Sequence, residues 1–245
     1  MDVFSCIATR HSTRKFKEEP VPQELLDKVI EAGRQAPSGK HKNQDHFLVI
    51  RKQETMQELA ALVRQEFAKM EVTPENDDNF GGAIRASKKG SYTFLYNPAA
   101  FIIVANKKNY GNNFADASCA MQNMMLAANA LGLGSCWINQ LRWLQGNPVL
   151  TAYLQELGMK EDEAVYASLS LGYPDTPDGL PNRRVVPVTR QQAHLHAIIL
   201  QRRHRLADRA EVADVGAQPA LQHAAQEGVR QGVALDTDLL AGEHL

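Results

Sequence analysis

The chain has 245 residues, 44% of them hydrophobic, with 27 Lys and Arg against 28 Asp and Glu. This length and apolar content can bury a sizeable core, and a net charge near zero disfavours bulk nucleic-acid binding, which needs an excess of cations. No apolar run approaches the roughly 18 residues of a membrane span. The N-terminus has no signal-peptide pattern, and the three cysteines form no CxxC pair, so we expect a cytoplasmic protein with reduced thiols.

Apolar periodicity predicts helices that alternate with strands. In chain order, the predicted elements are helix 22–36, strand 47–50, helix 55–69, strand 101–105, helix 114–131, strand or extended loop 135–139, helix 147–157 and strand 165–171. Thr55 and Glu58 have capping-box spacing at the start of the second helix. Residues 71–92 are polar, contain glycine and show no clear period, and we expect a mobile insertion there. Helix 114–131 is apolar nearly all round, which is typical of a deep core or a subunit interface.

This alternation predicts a central sheet with helices on its faces, and it leaves the strand directions open. Gly132 is the expected end of the long apolar helix, because glycine adopts the left-handed conformation that commonly terminates helices. Asn147 and Pro148 are expected to cap the helix that follows.

Three polar segments could carry chemistry. In an extended segment Arg10, Ser12 and Arg14 would share one face, and two guanidinium groups with a hydroxyl are suited to a phosphate. The alternative is a solvated basic segment. Residues 36–44 combine a helix end with a glycine-bearing polar loop, which is either a binding loop or an ordinary turn. Residues 132–140 contain two glycines that permit close backbone approach.

Other kinds of site find little support. Cys136 has no evident His and acid partner, so buried packing is favoured over a nucleophile, and Trp137 either flanks a ring or belongs to the core. The body of the chain has no metal-ligand spacing, no GxGxxG and no P-loop, and the histidines at 194–204 are discounted as a zinc site.

Taken in order, RHSTRKF, APSGKHKNQDHF, DASCAMQNMMLAANALGLGSCWINQ and LSLGYP resemble the FMN-dependent nitroreductase family of NAD(P)H-dependent oxidoreductases. The resemblance covers residues 4–189. It implies an α+β fold in which a mixed, mostly antiparallel central sheet is flanked by helices, within an intertwined homodimer. Residues 1–189 would form the FMN-binding domain.

The positions that the resemblance assigns to FMN binding are Arg10, His11, Ser12 and Arg14; Pro37, Ser38, Gly39 and Asn43; Trp137, Ile138, Asn139 and Gln140; and Arg183 or Arg184. The first group would hold the phosphate and the ribityl chain. The second would be a loop under the flavin of the other subunit, with an amide at the pyrimidine edge. The third would flank the ring, with the backbone N–H of Gln140 at flavin N5, and the last would complete the phosphate site.

The implied function is ping-pong hydride transfer from NAD(P)H through bound FMN to a nitroaromatic, a quinone or a similar small-molecule acceptor. No side-chain acid or base is strictly required, and residues 71–92 would cover the pocket and select the acceptor. Two alternatives stay open. One is another flavin reaction on the same fold, such as dehalogenation, flavin fragmentation or a specific dehydrogenation. The other is a flavin-binding redox sensor or interaction protein with little turnover.

Residues 190–245 differ abruptly in composition from the rest. After Arg190 the chain has no Lys, Ser, Asn, Cys, Met or aromatic residue of the Phe, Tyr or Trp type, and it holds five of the eight histidines. One choice of codons for residues 190–194, read one base later, encodes Gly-Asn-Lys-Leu and restores the ending usual in the family. We hypothesise a frameshifted extension; the alternative is a genuine helical appendage around residues 204–225.

Overall fold

The computed structural model describes residues 1–175 and 187–188. Arg183, Arg184 and the extension 190–245 lie outside the described residues, as does the predicted domain boundary at residue 189. The assignment of these two arginines to the phosphate site and the frameshift hypothesis therefore stay predictions.

A four-stranded antiparallel sheet forms the centre of the described residues, in the order β1-β2-β4-β3. Its strands are β1 His46–Ile50, β2 Ala100–Lys107, β3 Gly134–Ile138 and β4 Glu163–Gly172. Strands β2 and β4 lie in the middle and are buried along nearly their whole length, which explains the near-continuous apolar run of β2 in the sequence. The four predicted strands are confirmed.

The helices, in chain order, are α1 Val3–Thr9, α2 Gln23–Arg34, α3 Gln53–Ala68, α4 Pro74–Asn76, α5 Gly82–Lys88, α6 Asn113–Ala130, α7 Gln140–Trp143 and α8 Pro148–Glu156. A 3₁₀ turn covers Gly39–His41, and a π-helical turn covers Asp77–Gly81. The short helices α1 and α7 were not predicted, because neither is long enough to show a period. Among the described residues, none of the helices combines the length and apolar character needed to cross a membrane.

The sheet separates two hydrophobic cores. Side chains of β2 alternate between them: Phe101 and Ile103 join the core made with α3, α5 and α8, whereas Ile102 and Val104 join the core made with α2 and α6. This is the period of two that a strand imposes on its side chains. The fold is therefore an α+β arrangement with helices on both faces of an antiparallel sheet.

Residues 71–92 show no clear period in the sequence, yet they form helical structure; their predicted mobility stays a prediction. This segment forms α4, the π-helical turn and α5, and it buries Ala83, Ile84 and Ser87. Together with the partly buried Phe80 these residues have the i, i+3, i+4, i+7 spacing of an amphipathic helix. Two of the four are Ala and Ser, so the period was concealed by small side chains.

Helix boundaries correct one prediction and confirm another. Helix α3 begins at Gln53 after Lys52, so Thr55 lies within the helix and does not cap it. Helix α6 ends as expected at Gly132, whose φ is +76°. There the Leu133 N–H donates to the Ala128 carbonyl at 2.8 Å, as in a Schellman motif. This turn sends the chain from α6 directly into β3.

Candidate functional site

The basic segment Arg10–Arg14 lies against the edge strand β3. It follows α1, and Ser12 pairs with Ser135 as a parallel bridge. The Thr13 N–H donates to the Ser135 carbonyl oxygen at 2.9 Å. This bridge adds a parallel element to an otherwise antiparallel sheet, and it brings together two segments that were singled out separately in the sequence.

The two segments also approach each other closely at Gly134. A Cβ added to Gly134 would lie 2.5 Å from Thr13 Oγ1 and 2.7 Å from Thr13 Cγ2. Thr13 is buried, with 4% of its surface exposed. The sequence predicted that this glycine permits close backbone approach, and the structure shows that what approaches is the chain's own basic segment.

Asn129 on α6 fixes the end of α1 just before the basic segment. Its Nδ2 donates to the Cys6 carbonyl at 3.1 Å and lies 2.9 Å from the Thr9 hydroxyl. The ring Nδ1 of His11 lies 3.0 Å from the Thr9 carbonyl oxygen. Sequence reasoning missed Asn129; an amide within an apolar helix was the only available signal.

The positive charge of the basic segment reaches the thiol of Cys136. Burial raises the pKa of Cys136, whereas the charge of Arg14, the hydroxyl of Ser12 and the charge of Arg10 each act to lower it. Cys136 is buried and unpaired. The thiol is therefore a packing residue next to a cationic surface, and the preference for packing over a nucleophilic role agrees with its surroundings.

Residues 137–140 lead from β3 into α7. Trp137 is half-buried at the margin of the α2–α6 core, and its Nε1 donates to Asn139 Oδ1 at 2.8 Å. Ile138 is buried in the opposite core. Gln140 is the first residue of α7, and its Nε2 lies 2.6 Å from the hydroxyl oxygen of Tyr92. Tyr92 thus connects residues 71–92 to the predicted flavin-flanking segment, residues 137–140.

The second predicted group, the loop of residues 37–43, closes on itself. The Ser38 hydroxyl donates to Asn43 Oδ1 at 2.7 Å, and the Asn43 N–H donates to Ser38 Oγ at 3.0 Å. Pro37 at its start is exposed. A cleft of about 370 Å³ opens beside the loop and is lined in part by Ser38, Asn43 and Asp45.

The loop is anchored by residues that the sequence did not single out. The Gly39 N–H donates to Asp116 Oδ1 at 3.0 Å, and the Tyr110 hydroxyl donates to the Gly39 carbonyl at 2.8 Å. Nearby, Asn106 Nδ2 donates to Asp45 Oδ1 at 2.7 Å. Burial raises the pKa of Asp45 to about 6, the hydrogen bond from Asn106 opposes this rise, and the charge of Asp116 adds to it.

The two predicted groups lie at diagonally opposite corners of the sheet. Ser135 in β3 pairs with Leu171 near the end of β4. His46, which follows the 37–43 loop in β1, instead has its Nδ1 2.8 Å from an oxygen of Glu163 at the start of β4. Leu171 and Glu163 are about 26 Å apart at 3.3 Å per residue, and three strand spacings of about 4.8 Å separate β1 from β3. The structure brings the basic segment and residues 134–140 together, but not the loop.

Replacing Gly134 with Ala is expected to destabilise the chain, because the added methyl group would overlap the buried Thr13 side chain. Overpacking of this kind costs about 1–3 kcal/mol of the free energy of unfolding, measured by urea denaturation. Gly111→Ala is the matched control, since a Cβ there meets no heavy atom within 4 Å. Equal stabilities of the two variants would contradict this account of the contact.

Asp45→Asn is expected to raise the melting temperature at pH 7 but not below pH 4. The folded-state pKa of Asp45, about 6, lies above its ordinary value of 3.8, so the wild type loses stability as pH rises between these values. Asparagine does not titrate and avoids this loss. Asp162→Asn is the control, because the hydrogen bond from Lys107 lowers the pKa of Asp162, and no gain is expected. A gain for Asp45→Asn that is independent of pH would rule out ionisation as its cause.

This chain is similar to known proteins over much of its length. Residues 7–173 match the Nitroreductase family. A protein of Methanothermobacter thermautotrophicus, provisionally named NADH dehydrogenase/NAD(P)H nitroreductase, is 32% identical over 140 residues. That match covers 56% of this chain and 60% of the archaeal protein, which is less than two thirds of its length. A nitrobenzene nitroreductase of Ectopseudomonas oleovorans is 25% identical over 208 residues, covering 73% of this chain and 88% of that protein.

A solved structure gives the same result for the fold. The crystal structure of a nitroreductase with bound FMN from Bacteroides fragilis has 31% sequence identity and a TM-score of 0.69. The similarity covers 78% of this chain and the whole of that chain. The family match extends over more than half of the present sequence, and its limits enclose both the basic segment and β4. The chain therefore belongs to the nitroreductase family.

Proposed function

We propose that this protein is an FMN-dependent oxidoreductase that passes electrons from NAD(P)H to a small-molecule acceptor such as a nitroaromatic compound or a quinone. The observation that carries the proposal is the pairing of the basic segment Arg10–Arg14 with β3, within a family whose Bacteroides fragilis member binds FMN. The names of the matched relatives, which include NAD(P)H and nitrobenzene nitroreductases, support the choice of donor and acceptor.

The donor groups of the basic segment suit the phosphate of FMN. Arg10 and Arg14 are close enough to β3 to act on the pKa of Cys136, so two positive charges converge on one stretch of strand. Guanidinium groups bind phosphate oxygens through charge-assisted hydrogen bonds. Thr13 is fixed against Gly134 between them, so this part of the segment is ordered before any ligand binds and pays less ordering entropy on binding.

Bound FMN would supply the hydride chemistry, and the chain's own residues would bind and orient it. Arg10, Ser12 and Arg14 would hold the phosphate, with His11 in the same segment. Residues 137–140 lead from the end of β3 into α7, and we keep the proposal that they flank the ring. We also keep the assignment of the phosphate-completing role to Arg183 or Arg184 as part of the proposal.

An aromatic wall adjoins the proposed ring position and suits an aromatic acceptor. Tyr92, which contacts Gln140, stacks on Phe94 with ring centroids 5.7 Å apart and meets the edge of Phe67 at 6.0 Å. Phe80 packs 5.7 Å from Trp143 in α7. Phe67 and Phe94 are buried in the core, so the partly buried Phe80 and Tyr92 are the side chains of residues 80–92 that would line the site and select the acceptor.

The separation of the two predicted groups supports a homodimer. The basic segment and the 37–43 loop lie at opposite corners of one sheet, and FMN is shorter than the distance between them. In a two-fold symmetric dimer, the loop of one chain can reach the flavin held by the basic segment of its partner. Two identical sites would then form, each from both chains.

Exposed apolar side chains support the same assembly. Phe4 on α1 is 80% exposed and Phe114 on α6 is 42% exposed, and Val3 and Ile7 are also exposed. The Arg142 guanidinium lies over the Phe114 ring, 4.1 Å from its centroid. Helices α1 and α6 contact each other within the chain, so their exposed apolar residues lie on neighbouring elements that a second copy could bury. The apolar circumference of α6 noted in the sequence is explained if one face packs on the sheet and another faces the partner.

We place this function in the cytoplasm. Cys6, Cys119 and Cys136 are unpaired thiols, which is the usual state of cysteine in a reducing compartment. NAD(P)H is available there as the electron donor. The location is thus consistent with the proposed chemistry.

The proposal predicts that the purified protein binds FMN and that Arg14 recognises its phosphate. Flavin fluorescence titration should give a dissociation constant for FMN at least about tenfold below that for riboflavin, because charge-assisted hydrogen bonds contribute roughly 1.5–3 kcal/mol. Arg14→Ala should lose most of this preference while riboflavin binding stays constant. Lys15→Ala is the matched control, since it removes the same charge one residue away, where Lys15 pairs with Asp175.

Bleaching of the bound flavin by NADH or NADPH without oxygen, and its recovery on adding a nitroaromatic compound or a quinone, would test the reaction itself. A preparation that binds no flavin, or that binds FMN and riboflavin equally, would overturn the proposal. A yellow protein that oxidises neither nicotinamide with any acceptor would indicate the sensor alternative instead.

A further inference from the structure

The 37–43 loop has an unusual backbone. Lys40, His41 and Asn43 have φ angles of 55°, 52° and 46°, in the left-handed region. A side chain with a Cβ disfavours this region because the Cβ approaches a carbonyl oxygen. Of the three, His41 and Asn43 belong to residue types that are enriched in this region, whereas Lys40 does not. Such conformations persist where surrounding contacts impose them.

The contacts that hold the loop are made to the backbone N–H and the carbonyl of Gly39. Asp116 Oδ1 accepts the Gly39 N–H at 3.0 Å, and the Tyr110 hydroxyl donates to the Gly39 carbonyl at 2.8 Å. A Cβ on Gly39 would lie 2.5 Å from the Tyr110 oxygen and 2.0 Å from Asn112 Nδ2. Gly39, just before the left-handed stretch, is therefore held by Tyr110 in the connection between β2 and α6 and by Asp116 in the first turn of α6.

Two further observations favour a dedicated role for these anchors. Asp116 is 4% exposed on an otherwise apolar helix face. Burying a carboxylate costs free energy unless the carboxylate accepts hydrogen bonds. Tyr110 holds the loop a second time, because Lys42 Nζ lies 5.2 Å from the centroid of its ring. Neither side chain is needed to fill a hydrophobic core.

We propose that Asp116 and Tyr110 are positioning residues of the cofactor site. Through their hydrogen bonds to Gly39 they keep Lys40, His41 and Asn43 in the left-handed conformation. This conformation presents the Asn43 amide and the Ser38–Gly39 backbone as one preformed surface. The inference rests on the proposed function, in which this loop serves the flavin held by the partner chain. The anchors would act through the loop, by their hydrogen bonds to Gly39, and not through contact with the flavin or the acceptor.

The experiment measures FMN affinity by fluorescence titration in the full chain, with melting temperature recorded for each variant. Tyr110→Phe removes one hydroxyl and should weaken FMN binding about fivefold, the loss expected for one hydrogen bond. Asp116→Leu should weaken it more than about tenfold. Asp116→Asn keeps an oxygen acceptor for the Gly39 N–H and should recover most of that loss. Asp27→Asn, an exposed carboxylate on α2, is the control and should bind like the wild type.

A rescue distinguishes positioning from general stability. Adding Lys40→Gly to Tyr110→Phe should restore at least half of the lost affinity on a logarithmic scale, because glycine adopts the left-handed conformation without a steric penalty. Loss of packing at Tyr110 would not respond to this change. In the protein without FMN, the Gly39 amide proton resonance should move upfield in Asp116→Leu as its hydrogen bond is lost.

The outcomes separate the two proposals. If the wild type binds no FMN, the proposed function fails, and the Gly39 amide resonance still reports on the hydrogen bond from Gly39 to Asp116. If the wild type binds FMN but Tyr110→Phe and Asp116→Leu bind it within about twofold, the positioning role is wrong while the proposed function stands. Failure of the glycine rescue would likewise overturn the positioning role.

Discussion

The order of strands in the sheet constrains where every functional segment can lie. With β1 at one edge and β3 at the other, the loop that enters β1 and the basic segment that pairs with β3 are kept apart by two buried strands. Because β2 and β4 are buried on both faces, they cannot move to an edge without exposing their side chains to water. The separation of the two groups is thus a consequence of core burial.

Helix α6 couples the two corners through residues near its two ends. Near its C-terminus Asn129 fixes the end of α1, and Gly132 turns the chain into β3, with which the basic segment pairs. Near its N-terminus Asp116 holds Gly39 in the 37–43 loop. One helix therefore supports both halves of the proposed cofactor site, although each half would serve a different flavin in the dimer. A shift of α6 would disturb both sites.

Much of the fold and part of the candidate site could be predicted from the sequence. The elements and contacts that were missed have physical causes. Long apolar runs such as residues 101–105 identified the strands, because burial on both faces leaves few polar positions. The helices within residues 71–92 were not predicted, because their buried period is carried partly by Ala83 and Ser87. Asp116 and Tyr110 could not be foreseen, because their partner Gly39 is more than seventy residues away in the chain. Contacts of that range depend on the tertiary fold and leave no local pattern.

Mixing two defective chains tests most directly whether each site is built from both copies. Arg14→Ala impairs the basic segment, and Gly39→Ala impairs the loop, where an added Cβ would overlap Tyr110 and Asn112. Unfolding and refolding the two variants together at equal amounts should restore about a quarter of the wild-type FMN sites, because half of the dimers are mixed and each has one intact site. Recovery no greater than in the separate variants would contradict a site shared between chains.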